Sequence, residues 1–283
     1  MILVTGATGN IGSEVLRRVL ASAEPVRLLT REPTPVAAIQ GRADVTTGDF
    51  TVPATLDEAF RGVDRAFLVF SGGETLPELA PPVLEVAKRA GVKHVVLVSS
   101  GTISYEPPVA IGRWHLAAEQ VLQATGVAWT MLRPGNFASN ALRWAGSLKA
   151  RGTVFVPHGS RPSSPIDPID IGAVAAACLL ESGHEEKVYN LNGPEVLTAV
   201  EQVRILGEVV GKRFTFIEVP PPEARSQMIK YGLSAVMADA VLELTSVPPL
   251  PDSLVLDPAV AGVTGRPAGT FEAWARRNAA AFS

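Results

Sequence analysis

The chain opens Met1-Ile-Leu-Val-Thr5 and passes at once into Gly6-Ala-Thr-Gly9-Asn-Ile-Gly12. A short β-rich run that ends in glycines at three-residue spacing and then enters an amphipathic stretch, Gly12–Ala21, restricts the fold more than any other part of the sequence. Each glycine has its own reason. Gly6 permits a tight turn, Gly9 lets the backbone approach a ligand with no Cβ in the way, and Gly12 lets the helix pack closely on a sheet. A helix that starts here presents free N–H groups and a partial positive charge, which suit a pyrophosphate. With Thr8, Asn10 and Ile11 supplying the rest of the turn, these residues are expected to hold a dinucleotide.

The remaining text agrees with that start. Strand-like runs at Ile2–Thr5, Val26–Thr30, Asp44–Thr46, Arg65–Phe70, His94–Ser99, Val127–Arg133 and Lys187–Asn192 alternate with helical patterns. The helical segments are Gly12–Ala21, Ala54–Phe60, Pro81–Ala90, Trp114–Ala124 and Asp170–Leu180. Val95–Val98 is continuously apolar, as a strand buried on both faces should be. Repeated β-then-α units imply right-handed crossovers and an α/β doubly wound parallel sheet, the Rossmann class. After Arg133 the loops lengthen and become proline-rich, with helices expected at Ala199–Val210 and Pro222–Leu244. We therefore expect a nucleotide-binding domain at 1–155 and a smaller, partly helical substrate lobe at 156–283. Residues 165–192 and 270–283 are expected to return to pack on the Rossmann core.

Composition excludes several classes. With a formal net charge of −3 and 47% hydrophobic residues, the chain reads as a globular protein with no electrostatic attraction for nucleic acid or an anionic membrane. No apolar run reaches the ~18–20 residues of a membrane span, and no signal-peptide pattern is visible, so a cytoplasmic address is expected. The single cysteine, Cys178, lies in an apolar run and reads as an inert core thiol. His94, His115, His158 and His184 are scattered and give no metal-ligand spacing. A monomer or a homodimer is equally compatible with this composition.

The second strand ends Thr30-Arg31, where an NAD-selective site carries an acidic residue for the ribose 2′-hydroxyl. A guanidinium suits a 2′-phosphate, so NADP(H) is the expected cofactor, although Arg31 also reads as a solvated surface residue. The G-x-x-G-x-x-G spacing with its flanking Thr5 resembles the atypical or extended branch of the short-chain dehydrogenase/reductase superfamily. That resemblance implies that Asp49 and Phe50 border the adenine. It further implies cofactor contacts from Phe70, Ser71, Ser99, Pro134, Asn136 and Phe137, and places the catalytic serine at Ser99-Ser100.

The same superfamily starts the next helix with Tyr-x-x-x-Lys, and its extended members carry Glu four residues after the lysine. Here the text is Ile111-Gly-Arg-Trp-His115-Leu-Ala-Ala-Glu119. In the Glu119 register, Ile111 stands at the tyrosine position and His115 at the lysine position. Tyr105 is close in sequence but is followed by Val109 at the lysine spacing. With Thr130-Met-Leu-Arg133-Pro134-Gly-Asn136-Phe137, the chain resembles NmrA-like reductases over nearly its whole length, bacterial NADPH:quinone reductases of that branch in particular.

The function this implies is an NADPH-dependent reductase of a quinone or an aromatic or polyketide-like ketone. His115 and Ser100 are its candidate catalytic side chains, as proton donor and hydrogen-bond donor. Each also has a structural reading, as a helix imidazole bonded to backbone or ribose and as a strand-end cap. Phe137, Trp144 and Phe155 could line an aromatic pocket or simply pack. The alternative is a non-catalytic regulator that senses NADP(H). An epimerase is disfavoured because Ile111 cannot act as a base.

Overall fold

The computed structural model describes residues 1–32, 41–70, 73–254 and 258–283. Among these, nine strands occur: β1 (Ile2–Thr5), β2 (Val26–Thr30), β3 (Asp44–Thr47), β4 (Arg65–Leu68), β5 (His94–Val98), β6 (Ala128–Pro134), β7 (Thr153–Val156), β8 (Lys187–Leu191) and β9 (Thr215–Glu218). Seven of them form one all-parallel sheet in the order β3-β2-β1-β4-β5-β6-β8. The order reverses between β1 and β4, and the crevice beyond the carboxyl ends of strands at such a switch point is where open α/β sheets bind ligands.

Period-two alternation decides which helices each strand meets. Ile2, Val4, Phe67, Val96 and Val98 face one layer, built mainly from α1 (Gly12–Val19) and α6 (Pro168–Leu180). Leu3, Ala66, Leu68, Val95 and Leu97 face the other, built from α2 (Leu56–Phe60), α3 (Leu76–Arg89) and α4 (Ala110–Thr125). Fully burying each such Leu, Val or Phe stabilises the fold by roughly 1.5–3 kcal/mol, which is why both layers stay in register. Cys178 is buried in the first layer, and burial pushes its thiol up to about 12, so it is inert at neutral pH.

A second core belongs to the lobe. It joins Leu148 of α5 (Ala145–Arg151), Val154 of β7, Val203 and Leu206 of α7 (Ala199–Val210), and Phe271 and Trp274 of α11 (Phe271–Arg277). Beside it, β7 and β9 form a separate two-stranded parallel sheet, and Phe155 pairs with Ile217 there. The chain is completed by α8 (Pro221–Lys230), α9 (Ala235–Ser246) and α10 (Ala259–Thr264).

Four expectations need correction. The boundary at 155 falls inside β7. Residues 165–192 return to the main sheet as α6 and β8, whereas 270–283 do not. Phe271, Trp274 and Phe282 bury themselves in the lobe core, and Arg277 of α11 pairs with Asp167, the N-cap of α6. The third helix begins at Leu76, not Pro81, because Leu76 and Ala80 continue the buried face of Val83, Leu84 and Ala87 and outweigh the cost of Pro81 and Pro82. Finally, the single helix expected at Pro222–Leu244 is broken between α8 and α9. Gly232 adopts φ +96°, and Ser234 then caps α9 by accepting the Met237 N–H.

Candidate active site

The ends of β1, β2, β4, β5 and β6 bring the expected site residues to one edge of the sheet, with Ser71 outside the described residues. At the centre is the glycine turn. Thr5 Oγ1 donates to the Phe67 carbonyl (3.0 Å) and accepts the Val69 N–H (3.1 Å), so β1 is fastened to β4 immediately before the chain turns. Gly6 has φ +62°, and a Cβ on it would lie 2.5 Å from Val69 Cγ1. A Cβ on Gly12 would lie 2.2 Å from the Gly6 carbonyl oxygen, so that position tolerates hydrogen alone. Gly9 differs, because it is exposed and a Cβ there would meet only the Gly6 oxygen at 3.3 Å. Position 9 is therefore tight for a side chain but not closed to one, unlike positions 6 and 12.

The turn closes with Gly9 N–H to Gly6 O (2.9 Å) and Ser13 N–H to Gly9 O (3.1 Å). Among the described residues no acceptor meets the N–H groups of Asn10, Ile11 or Gly12, and α1 has no side-chain cap. The acidic residue in its first turn, Glu14, does not fill this role. Burial would raise its carboxyl, but hydrogen bonds from Arg17 and Arg18, each at 2.7 Å, more than offset that and hold it below the ordinary carboxylate range. Its charge is balanced on the far side of the helix. The N-terminus is left with orphan donors and an uncancelled dipole, a fit for pyrophosphate.

Beyond β2, Arg31 is exposed and makes no ion pair among the described residues. Asp49 is nearby, but its carboxylate accepts the backbone N–H (2.8 Å) and hydroxyl (2.9 Å) of Thr51. These bonds, with the charge of Arg31 in addition, hold it below its usual range. Thr30 turns its hydroxyl to the Glu32 carbonyl (2.7 Å). Phe50 and Phe70 stack at 4.9 Å with their planes tilted by 41°, a flat apolar ledge at the edge where the resemblance puts adenine.

The two serines after β5 are not equivalent. Ser100 caps the turn Gly101–Ser104, with its hydroxyl bonded to Thr102 Oγ1 (2.8 Å). Ser99 is 4% exposed, and its Oγ has no partner among the described residues. An orphan buried hydroxyl costs free energy unless something arrives to bond it. His115 is half-buried on α4, and its Nδ1 lies 2.8 Å from the Ile111 carbonyl. A carbonyl only accepts, so Nδ1 carries the hydrogen. Burial pushes the imidazole below its ordinary value, with that bond and Glu119 partly opposing. At neutral pH the ring is uncharged, and Nε2 offers a lone pair, not a proton.

Glu119 is itself a scaffold. It grips Arg133 at the end of β6 through two bonds, of 2.9 and 2.5 Å, tying α4 to the strand that leads into Pro134–Phe137. Past that strand, Asn136 receives a bond from Asn140 Nδ2 (2.9 Å) and gives one to Ser163 Oγ (3.3 Å), and Phe137 bridges Ile166. Trp144 packs against the lobe core. Tyr105 accepts a hydrogen bond from Arg161 at 2.6 Å, a partner that sequence reading missed because Arg161 sits in a proline-rich loop. Among the described residues no group of three or more His, Cys, Asp or Glu could hold a metal ion, and no helix is long and apolar enough to cross a membrane.

With this geometry in place, comparison with known proteins decides the family. A model described as NAD(P)H-binding matches residues 6–182. The chain belongs to that family. An NAD(P)H azoreductase of Xenophilus azovorans is 37% identical over 100% of this chain and 99% of its own length. A (4-alkanoyl-5-oxo-2,5-dihydrofuran-3-yl)methyl phosphate reductase of Streptomyces griseus is 39% identical, over 100% of this chain and 99% of its own. The crystal structure of an NADPH-dependent quinone oxidoreductase of Escherichia coli complexed with NADPH superposes with a TM-score of 0.84 at 25% identity, covering 98% of this chain and 99% of that one. The fold is also that of Nmra, a negative transcriptional regulator, at a TM-score of 0.70 and 16% identity over 97% of this chain and 94% of that one.

Proposed function

We propose that this NAD(P)H-dependent oxidoreductase takes its reducing equivalents from NADPH and delivers them to a quinone or a comparably conjugated aromatic or polyketide-like ketone. One observation carries the reading: the positions that would supply an acid hold no strong one. Ile111 has no dissociable proton, burial pushes the His115 imidazole below its ordinary value while its N–H is donated to Ile111, and Ser100 is a weakly acidic hydroxyl paired with Thr102. An acceptor whose developing negative charge spreads over its own conjugated system needs little help from an acid.

When bound, the reduced nicotinamide supplies a hydride, and the protein's contribution is to hold and orient. The free N–H groups of Asn10, Ile11 and Gly12 would bind the pyrophosphate, Arg31 the 2′-phosphate, and the Phe50–Phe70 ledge the adenine. The orphan hydroxyl of Ser99 would donate to a ribose or substrate oxygen, and the Nε2 lone pair of His115 would accept from a ribose hydroxyl or a water. Both end-to-end relatives carry reductase names, which supports an enzyme over a sensor, and their azo and unsaturated furanone substrates are conjugated acceptors too.

The test follows NADPH absorbance with matched acceptors, a set of quinones and aryl ketones beside unconjugated ketones. Turnover restricted to the conjugated set is expected. Equal rates with an unconjugated ketone, or tight NADPH binding with no turnover on any acceptor, would overturn the proposal.

A further inference from the structure

Among the described residues, Arg161 faces no counter-charge. It is half-buried, its Nε donates to the Val247 carbonyl (2.9 Å), and one terminal nitrogen donates to the Tyr105 hydroxyl (2.6 Å). Both partners are neutral. Arg18, Arg27, Arg65, Arg133, Arg225 and Arg266, the other arginines that are not exposed, each face a carboxylate. Arg161 is the exception among the described residues. Two of its five N–H donors are used, and the others meet no acceptor among the described residues. Withdrawing a cation from water without a counter-charge is costly, so such a group is a reason to look for an anion arriving from outside.

Its placement tells where that anion would be. Tyr105 belongs to the loop that follows Ser99 and Ser100. Ser163, two residues after Arg161, meets Asn136 beyond β6 (3.3 Å). The segment that carries the guanidinium is therefore tied to the loops that follow β5 and β6. Tyr105 lines a cleft of about 470 Å³ between this loop and the end of α9. Of the carboxylates there, Glu243 is committed to the Ala110 N–H (2.8 Å) and Arg113 (3.6 Å), and Glu106 is exposed, where solvent and salt screen it.

The segment is also held rigidly. Arg161 N–H closes a turn on the His158 carbonyl (3.0 Å), and Gly159 lies so close to Phe216 that a Cβ would stand 2.0 Å from the ring. Ser163 and Leu197 exchange both backbone hydrogen bonds, at 3.0 and 2.8 Å. A guanidinium fixed in this way loses little freedom on binding.

We propose that Arg161, oriented by Tyr105, recognises an anionic oxygen substituent on the substrate, such as a phosphate or sulfonate. This rests on the reductase reading above and adds a substrate class to it.

The experiment compares kcat/KM for 1,4-naphthoquinone-2-sulfonate and neutral 2-methyl-1,4-naphthoquinone, with NADPH, in the wild-type protein, Arg161→Gln and Arg161→Lys. The ratio of sulfonated to neutral should fall at least tenfold in Arg161→Gln, the effect of one lost charge-assisted hydrogen bond, and mostly survive in Arg161→Lys. In the wild-type protein it should also fall as ionic strength rises, a measurement that needs no variant. A second arm needs no turnover. Naphthalene-2-sulfonate titrated calorimetrically into the NADP⁺-loaded protein should bind at least tenfold more weakly to Arg161→Gln. An unchanged ratio, or KM raised equally for both quinones, makes Arg161 a scaffold and overturns the proposal. If neither quinone is reduced, the reductase reading fails, and the calorimetric arm alone decides for or against the anion site.

Discussion

His115 tests how the chemistry is divided between side chains and solvent. Burial holds its imidazole below the ordinary value of about 6.5, and its Nδ1–H is given to Ile111. To act as a general acid it must first become an imidazolium, and above its pKa that form shrinks tenfold with each pH unit. Even an imidazole at the ordinary value would be only roughly 3% cation at pH 8, and burial of His115 lowers that fraction further. An obligatory His115 acid would therefore make kcat/KM fall at least about 15-fold between pH 6.5 and 8. We expect instead a change of less than about threefold over that range, and a loss of less than about 100-fold in His115→Ala, the lower edge of general-acid effects. The assay is steady-state quinone reduction at saturating NADPH in overlapping buffers, with NADPH affinity measured separately so that a cofactor defect is not mistaken for a chemical one. An alkaline limb present in the wild-type protein and absent in His115→Ala would refute the reasoning. So would a loss of about 10,000-fold with NADPH affinity intact.

Gly9→Val should cost far less thermal stability than the same change at Gly12, because a Cβ there meets only the Gly6 oxygen, at 3.3 Å, yet abolish binding of both NADPH and NADH. Normal nucleotide affinity in that variant would overturn the docking assigned to the turn. Arg31→Ala should weaken NADPH about 10- to 100-fold and leave NADH alone, and a wild-type preference for NADH would sink the assignment. Glu119→Leu strands Arg133 half-buried without its partner and should cost about 3–5 kcal/mol in denaturant titrations, whereas a cost below about 1 kcal/mol would show that solvent replaces the carboxylate. His94 is buried at the start of β5, and burial holds it below its ordinary value, so the folded chain binds fewer protons than the unfolded chain once the pH drops below about 6.5. Its contribution to stability is thus complete above that pH and is lost as pH falls toward the folded value. The denaturation midpoint should decline between pH 7 and 5.5 by less in His94→Gln than in the wild-type protein, and identical slopes would exclude His94 as a cause.

What sequence reading recovered was local, and what it missed was not. Strand, glycine turn and helix lie within the first twenty residues, so propensity, spacing and the steric needs of Gly6 and Gly12 all act on one contiguous stretch. The central main-sheet strands were legible because burial on both faces demands apolar text, whereas the edge strands β3 and β8 are largely exposed or half-buried. The pair β7 and β9 was not legible, because each strand is four residues long, its side chains are mostly half-exposed, and its partner lies far along the chain. The break between α8 and α9 was written in Gly232 and Ser234, a C-terminal glycine followed by an N-cap, and was overlooked because the apolar pattern continues across it. Two adjacent serines cannot be told apart in a string of letters. Only the turn that Ser100 caps leaves Ser99 with the free hydroxyl. Arg161 was invisible for a similar reason, since its partners stand 56 and 86 residues away.

The two halves of the site are therefore built differently, with consequences for what each can do. The nucleotide half is made from backbone N–H groups and missing side chains, so substitutions there should affect every substrate alike. The substrate half is made from polar side chains that loops bring together from distant parts of the chain. Most of these are already satisfied by one another: Ser100 by Thr102, Asn136 by Asn140 and Ser163, His115 by Ile111. What remains to meet a ligand is the Ser99 hydroxyl, the phenolic proton of Tyr105, the spare N–H groups of Arg161 and the Nε2 lone pair of His115. All but the last are donors, and none is a carboxylic acid or an imidazolium. Such a set can stabilise negative charge, either fixed on the substrate or developing during reduction, by hydrogen bonds in a partly desolvated setting. It is poorly equipped to drive protonation of an isolated alkoxide. A chain with these donors suits electrophiles that carry or disperse negative charge, and it leaves the final proton to water.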